Sequence, residues 1–116
     1  MRRLAVLIVM LSPAAHAADA DAGARVFKSQ CGTCHAVGKN LVGPNLTGVV
    51  GRHAGAVEGF RYSAANKSAD FTWDAAKLDP YLANPKAVIP GTSMLYAGLK
   101  NDTQRADLIA YLETLK

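Results

Sequence analysis

Apolar side chains recur at helical spacing in three stretches of this chain. In the last of them Leu108, Tyr111, Leu112 and Leu115 share one face, and Asn101 followed three residues later by Gln104 resembles a capping box. A terminal helix running through Lys116 is therefore predicted. Near the start, Val26 and Phe27 give an apolar side beside Ala22 and Gly23, with Asp21 able to cap, which predicts a short helix from Asp21 to about Cys31. Gly23 costs such a helix about 1 kcal/mol relative to Ala, a cost that is tolerable where another backbone comes close. From Thr72 to Asn84 the residues Trp73, Leu78, Tyr81 and Leu82 fit a further amphipathic helix that stops before Pro85. Pro80 removes a donor inside it and crowds a preceding carbonyl, so a bend or two successive turns near Leu78 to Tyr81 are predicted.

Between Gly38 and Gly59 the chain shows Gly43-Pro44-Asn45, Gly48, Gly51 and Gly55 with no sustained strand alternation, and reads as ordered loop with isolated turns. A loop this long in a small domain needs something large to pack against. No internal repeat, low-complexity tract or second domain is evident. The fold class that follows is all-α with much irregular connection.

The N-terminal stretch reads as processing signal. Arg2 and Arg3 precede an apolar run from Leu4 to Leu11, and Ala15-His16-Ala17 is the small-x-small pattern of signal peptidase substrates. The run is far short of the roughly 20 residues that span a bilayer. Residues 1–17 are expected to be a signal peptide removed after Ala17, leaving 18–116 as one exported domain; an uncleaved anchor is the alternative. Loss of Arg2 and Arg3 lowers the formal charge from +4 to +2, and the remaining lysines are scattered. Nucleic-acid binding is disfavoured, because it calls for a concentrated basic footprint and a recognition module.

So small a domain has a marginal core and often relies on a disulfide, a metal or another prosthesis. The two cysteines, Cys31 and Cys34, would close only a tiny loop as a disulfide, which points to chemistry instead. Cys31-Gly32-Thr33-Cys34-His35 has the Cys-x-x-Cys-His form of c-type haem attachment. Two thiols can form thioethers with the two haem vinyl groups, and the adjoining histidine can ligate the iron. Two other readings stand beside it. A thioredoxin-like redox pair shares the cysteine spacing but lacks a preceding strand. A zinc site needs more ligands, which His53 or an acid would have to supply.

Of the three methionines, Met1 and Met10 leave with the signal, so Met94 is the thioether that remains. It follows the turn-forming Pro90-Gly91-Thr92-Ser93, which can present it inward. A lone methionine is more often core filler, and only the presence of haem makes it a candidate axial ligand. His53, among Gly51, Arg52 and Gly55, is the other candidate ligand, although a surface or propionate-side loop suits it better.

Taken together, the sequence resembles class I cytochrome c, and in particular small bacterial cytochromes related to the mitochondrial protein. The likeness runs in order through Asp21-Ala22-Gly23, Phe27, Cys31 to His35, Gly43-Pro44-Asn45-Leu46 and Gly59-Phe60-Arg61-Tyr62. It continues through Tyr81 to Lys86, Ile89 to Met94 and Arg105 to Leu112. The resemblance implies a compact fold of short helices and long ordered loops around one haem c. It implies attachment through Cys31 and Cys34, axial ligation by His35 and Met94, and a Pro44 carbonyl that accepts from the His35 ring. It implies further that Arg52, Tyr62 and Trp73 receive a haem propionate, and that Asn66, Tyr81 and Thr92 form a polar network on the methionine side. The terminal helices are implied to cross near Gly23, Phe27, Leu108 and Tyr111.

Against the mitochondrial pattern, Ser93, Gln30 and Asn101 stand where lysines often occur, and Tyr96 takes an aromatic place near the haem edge. Lys28, Lys86 and Lys100 remain near the docking face that the resemblance implies, so electrostatic steering is expected to be weaker. The function implied is a monomeric periplasmic one-electron carrier, not an enzyme. It would take electrons from a quinol-oxidising complex or dehydrogenase and pass them to an oxidase, reductase or photosynthetic reaction centre. Its partners would be membrane or periplasmic redox proteins that dock transiently at the exposed haem edge, with no nucleic acid and no small-molecule substrate. A small haem peroxidase or gas-binding haem protein is the competing function, and it needs the coordination position that Met94 would fill. A subunit held in a larger respiratory assembly is a third.

Overall fold

The computed structural model describes residues 5–8 and 17–116, and most of the expected signal segment lies outside them. Among the described residues the fold is five helices and no strand: α1 (Ala20–Gln30), α2 (Ala64–Ser68), α3 (Ala75–Ala83), α4 (Pro85–Val88) and α5 (Asp102–Glu113). None is long and apolar enough to cross a membrane. The all-α expectation holds, and a thioredoxin-like frame finds no sheet to stand on.

The first helix begins one residue earlier than its sequence pattern suggests. Asp19, not Asp21, is the cap, its carboxylate accepting from the backbone N–H groups of Asp21 and Ala22. The Asp19 N–H in turn donates to the Asp107 carboxylate at 2.8 Å, tying the start of α1 to α5. These helices cross at Gly23, where a Cβ would lie 1.9 Å from the Asp107 carbonyl oxygen and 2.8 Å from the Tyr111 Cβ. Phe27 and Tyr111 pack beside the crossing with ring centroids 5.4 Å apart. Leu108, next to Asp107 on α5, is nearly inaccessible, and burying such a side chain contributes roughly 1.5–3 kcal/mol.

At the other terminus, Asn101 caps α5 through Gln104 N–H, as the sequence predicts, and the helix ends at Glu113, short of Lys116. Of the bend or two successive turns expected near Leu78 to Tyr81, the two separate turns are overturned: α3 runs through Pro80 as one helix. The carbonyl that Pro80 deprives of a partner belongs to Ala76, and both residues are on the exposed face, where water can take it. Meanwhile Leu78, Tyr81 and Leu82 anchor the opposite side in the core, with Trp73, Ile89, Leu99, Ile109 and Leu112. Asn84 donates its N–H to the Pro80 carbonyl, ending the helix before Pro85 starts α4.

Candidate haem site

The attachment motif begins where α1 ends. Cys31 caps the helix through its N–H on the Phe27 carbonyl, and the Cys31 carbonyl then accepts from both Cys34 and His35 N–H groups, at 3.1 and 2.9 Å. This tight turn sets both thiols and the imidazole on one short piece of backbone. Cys31 is half-buried and Cys34 exposed. Burial, reinforced by the neighbouring Cys34, pushes the Cys31 thiol up to about 11.

The orientation of His35 follows from one contact. Its Nδ1 lies 3.0 Å from the Pro44 carbonyl oxygen. A carbonyl can only accept, so Nδ1 carries the hydrogen and the Nε2 lone pair is left for a metal. Burial lowers the pKa of this ring, the Pro44 bond opposes that effect and the Arg52 charge adds to it, so the neutral, ligating form is favoured. Gly43 makes the approach possible: a Cβ there would meet His35 Cε1 at 2.2 Å and both ring nitrogens at 2.6 Å. The Gly43 N–H also donates to the Cys34 carbonyl at 2.8 Å, locking the glycine turn against the motif.

Met94 is half-buried in the extended segment after α4. Its N–H donates to the Thr92 hydroxyl at 3.2 Å, and Thr92 donates to Asn66 Oδ1 at 3.1 Å. With that hydrogen committed, the 2.9 Å contact between Tyr81 and Thr92 has Tyr81 as donor. Ser93 N–H and the Ser63 hydroxyl also donate to Asn66 Oδ1. The three residues expected on the methionine side are thus gathered into one network, with Thr92 at its hub.

Arg52 and Trp73 are brought together by backbone pairing, Trp73 N–H to Arg52 O at 2.8 Å and Gly51 N–H to Trp73 O at 2.7 Å. Arg52 Nη1 donates to the carbonyls of Asn45 and Thr47. Burial lowers its pKa, and nearby Tyr62 acts in the opposite direction; a guanidinium stays charged throughout. The Tyr62 hydroxyl oxygen accepts from Val57 N–H at 2.9 Å. His53 does not join the site: Nδ1 faces the Ala54 carbonyl and Nε2 the Asp70 carboxylate, at 2.9 and 3.2 Å.

Several contributors are not evident from sequence. Arg105 is buried and donates to Asp79, Asp102 and the Leu99 carbonyl, holding α5 to α3 and to the segment that leaves Met94. A buried arginine between two acids in chain order is no signal by itself. Lys100, assigned to a docking face, has its ammonium on the Ala83 carbonyl at the C-terminus of α3, where the helix dipole favours a cation.

The donor set fits an iron porphyrin. It offers one imidazole with Nε2 in the ligating tautomer, one thioether and two thiols beside the imidazole. No trio of His, Cys, Asp or Glu able to hold a metal occurs among the described residues, so the zinc reading lacks its further ligands.

The cytochrome c family model matches residues 20–116. The chain belongs to the cytochrome c family. Cytochrome c2 of Blastochloris viridis is 50% identical over 113 residues, covering 95% of this chain and 87% of that one. Cytochrome c2 of Rhodomicrobium vannielii is 52% identical over 110 residues, 92% of this chain and 87% of the other. Among solved structures, cytochrome cH from Methylobacterium extorquens superposes with a TM-score of 0.79 at 45% identity, over 83% of this chain and 98% of that chain. This cytochrome c is a small periplasmic electron-transfer protein, not an enzyme, with two cysteines suited to covalent haem c and a surface that meets redox partners.

Proposed function

We propose that this cytochrome holds its haem iron between His35 Nε2 and the Met94 sulfur and serves as a diffusible one-electron carrier. The observation that carries the reading is the 3.0 Å contact from His35 Nδ1 to the Pro44 carbonyl, which leaves the Nε2 lone pair for iron. When bound, the haem supplies a reversible one-electron iron couple, and Met/His ligation raises its potential.

The chain's own residues then do the rest. Cys31 and Cys34 fasten the group through thioethers. The Thr92 network restrains Met94 so that the sulfur need not move when the charge changes, and small rearrangement favours rapid transfer. Arg52, Tyr62 and Trp73 are the propionate side. The Tyr62 oxygen already accepts from Val57, which leaves its hydrogen for a carboxylate, and the Arg52 charge offsets the cost of burying that carboxylate. His35 and Met94, both ligating the iron, would leave no coordination position for outside ligands.

Partner docking is assigned to the exposed haem edge, around Lys28, Lys86 and the bare Leu95. The donors are a quinol-oxidising complex or a periplasmic dehydrogenase, and the acceptors an oxidase, reductase or photosynthetic reaction centre. Cleavage after Ala17 delivers the domain beginning at Ala18, one residue before the Asp19 cap. Intact-mass measurement and spectroelectrochemistry of the exported protein test this reading. They should give a chain starting at Ala18 plus one haem, and a reversible one-electron wave. A retained leader or the absence of such a wave would contradict it.

A further inference from the structure

On its N-terminal side Met94 is restrained by the Thr92 network; on its C-terminal side the restraint is of another kind. Leu99 N–H reaches the Leu82 carbonyl at 2.8 Å, but that bond lies five residues beyond the sulfur. Between them stands Tyr96, two residues after Met94, whose N–H donates to the Met94 carbonyl at 3.0 Å. Its hydroxyl donates to the side-chain oxygen of Gln30 at 3.0 Å. Gln30 is the last residue of α1 and directly precedes Cys31.

We infer that Tyr96 and Gln30 form a latch that closes the Met94 segment against the haem-attachment turn and thereby keeps the sulfur on the iron. The bond joins the two pieces of backbone that carry the opposite attachments of the group, one residue from a thioether and two from the axial sulfur. Opening the methionine segment away from the end of α1 requires this bond to break. Tyr96 is half-buried against the core, which holds the ring in place, and a phenol hydroxyl is a hydrogen-bond donor at neutral pH. Both residues are positioning residues, acting through Met94. Gln30 supplies an acceptor at a place where a lysine would supply only donors, so this pairing is particular to the residues present here.

This inference rests on Met94 ligation, and its test separates the two. Imidazole is titrated into the oxidised holoprotein while the sulfur–iron charge-transfer band is followed, for wild type, Tyr96→Phe, Gln30→Leu, Gln30→Glu and the Tyr96→Phe/Gln30→Leu pair. One net hydrogen bond corresponds to about a 2- to 10-fold change in the opening equilibrium. Tyr96→Phe and Gln30→Leu should each bind imidazole about that much more tightly, and the double variant no more than either single. Gln30→Glu keeps an acceptor and should stay near wild type, which a merely structural loss at position 30 would not do. Far-ultraviolet circular dichroism should be the same for all. A wild-type protein with the band but unchanged affinities in the variants, or additive effects in the double, overturns the latch. A wild-type protein without the band overturns Met94 ligation itself.

Discussion

His35 and Pro44 are joined by a 3.0 Å hydrogen bond whose direction is fixed by chemistry, the imidazole N–H donating to the carbonyl. The bond exists because Gly43 lets the loop lie flat against the ring. Gly43→Ala should therefore displace the imidazole or the loop, costing about 1–3 kcal/mol as an overpacked site does. Chemical denaturation of the holoprotein measures the loss. Pro44→Ala retains the carbonyl and should cost less than Gly43→Ala; the reverse order would refute this view of the loop.

The helix crossing offers a second test. Gly23→Ala puts a methyl group 1.9 Å from the Asp107 carbonyl, too close for any rotamer to relieve, because the obstacle is backbone. The intrinsic helix gain of about 1 kcal/mol for replacing Gly by Ala should be outweighed. Thermal unfolding should show a net loss of about 1–3 kcal/mol or more, and a stabilised variant would show that α1 and α5 do not meet this closely.

Much of this was legible in the chain because the informative residues are local. Cys31 to His35 is one turn of backbone, and Asn101 to Gln104 is one cap, so adjacency in sequence is adjacency in space. The contacts that escaped reading span the chain. Asp19 to Asp107, Gln30 to Tyr96 and Arg105 to Asp79 each pair ordinary polar residues whose meaning comes only from the packing of α1, α3 and α5. Pro80 misled for a related reason: its local cost is real, yet the core contacts of Leu78, Tyr81 and Leu82 outweigh it. Cap choice at α1 failed because Asp19 and Asp21 are equally suited chemically, and only the tie to Asp107 selects Asp19.

Arg105 divides its bonds between a buried carbonyl and two more exposed acids. Arg105→Leu should cost about 3 kcal/mol, since it leaves the Leu99 carbonyl without its partner and loosens α5 from α3. Asp102→Asn, at a largely exposed pair, should cost under about 1 kcal/mol. Denaturant midpoints at constant slope will compare them, and equal losses would mean that the carbonyl contact carries no weight.

Charge on the docking face is open to a gain-of-function test. Ser93 is exposed and adjoins Met94, so Ser93→Lys adds a cation near the haem edge without entering the core. Association with an acidic redox partner should quicken at low salt and return toward the wild-type rate as salt screens the added charge. Stopped-flow rates that are the same at every ionic strength would place partner docking elsewhere.

The most direct measurement of all is a potentiometric titration of the Met94→Ala holoprotein beside wild type. Axial ligands set iron potentials over a range of roughly 0.8 V, and loss of the thioether should lower the midpoint by on the order of 0.1 V or more, with the sulfur–iron absorption gone. An unchanged midpoint and spectrum would contradict the placement of the iron between His35 and Met94.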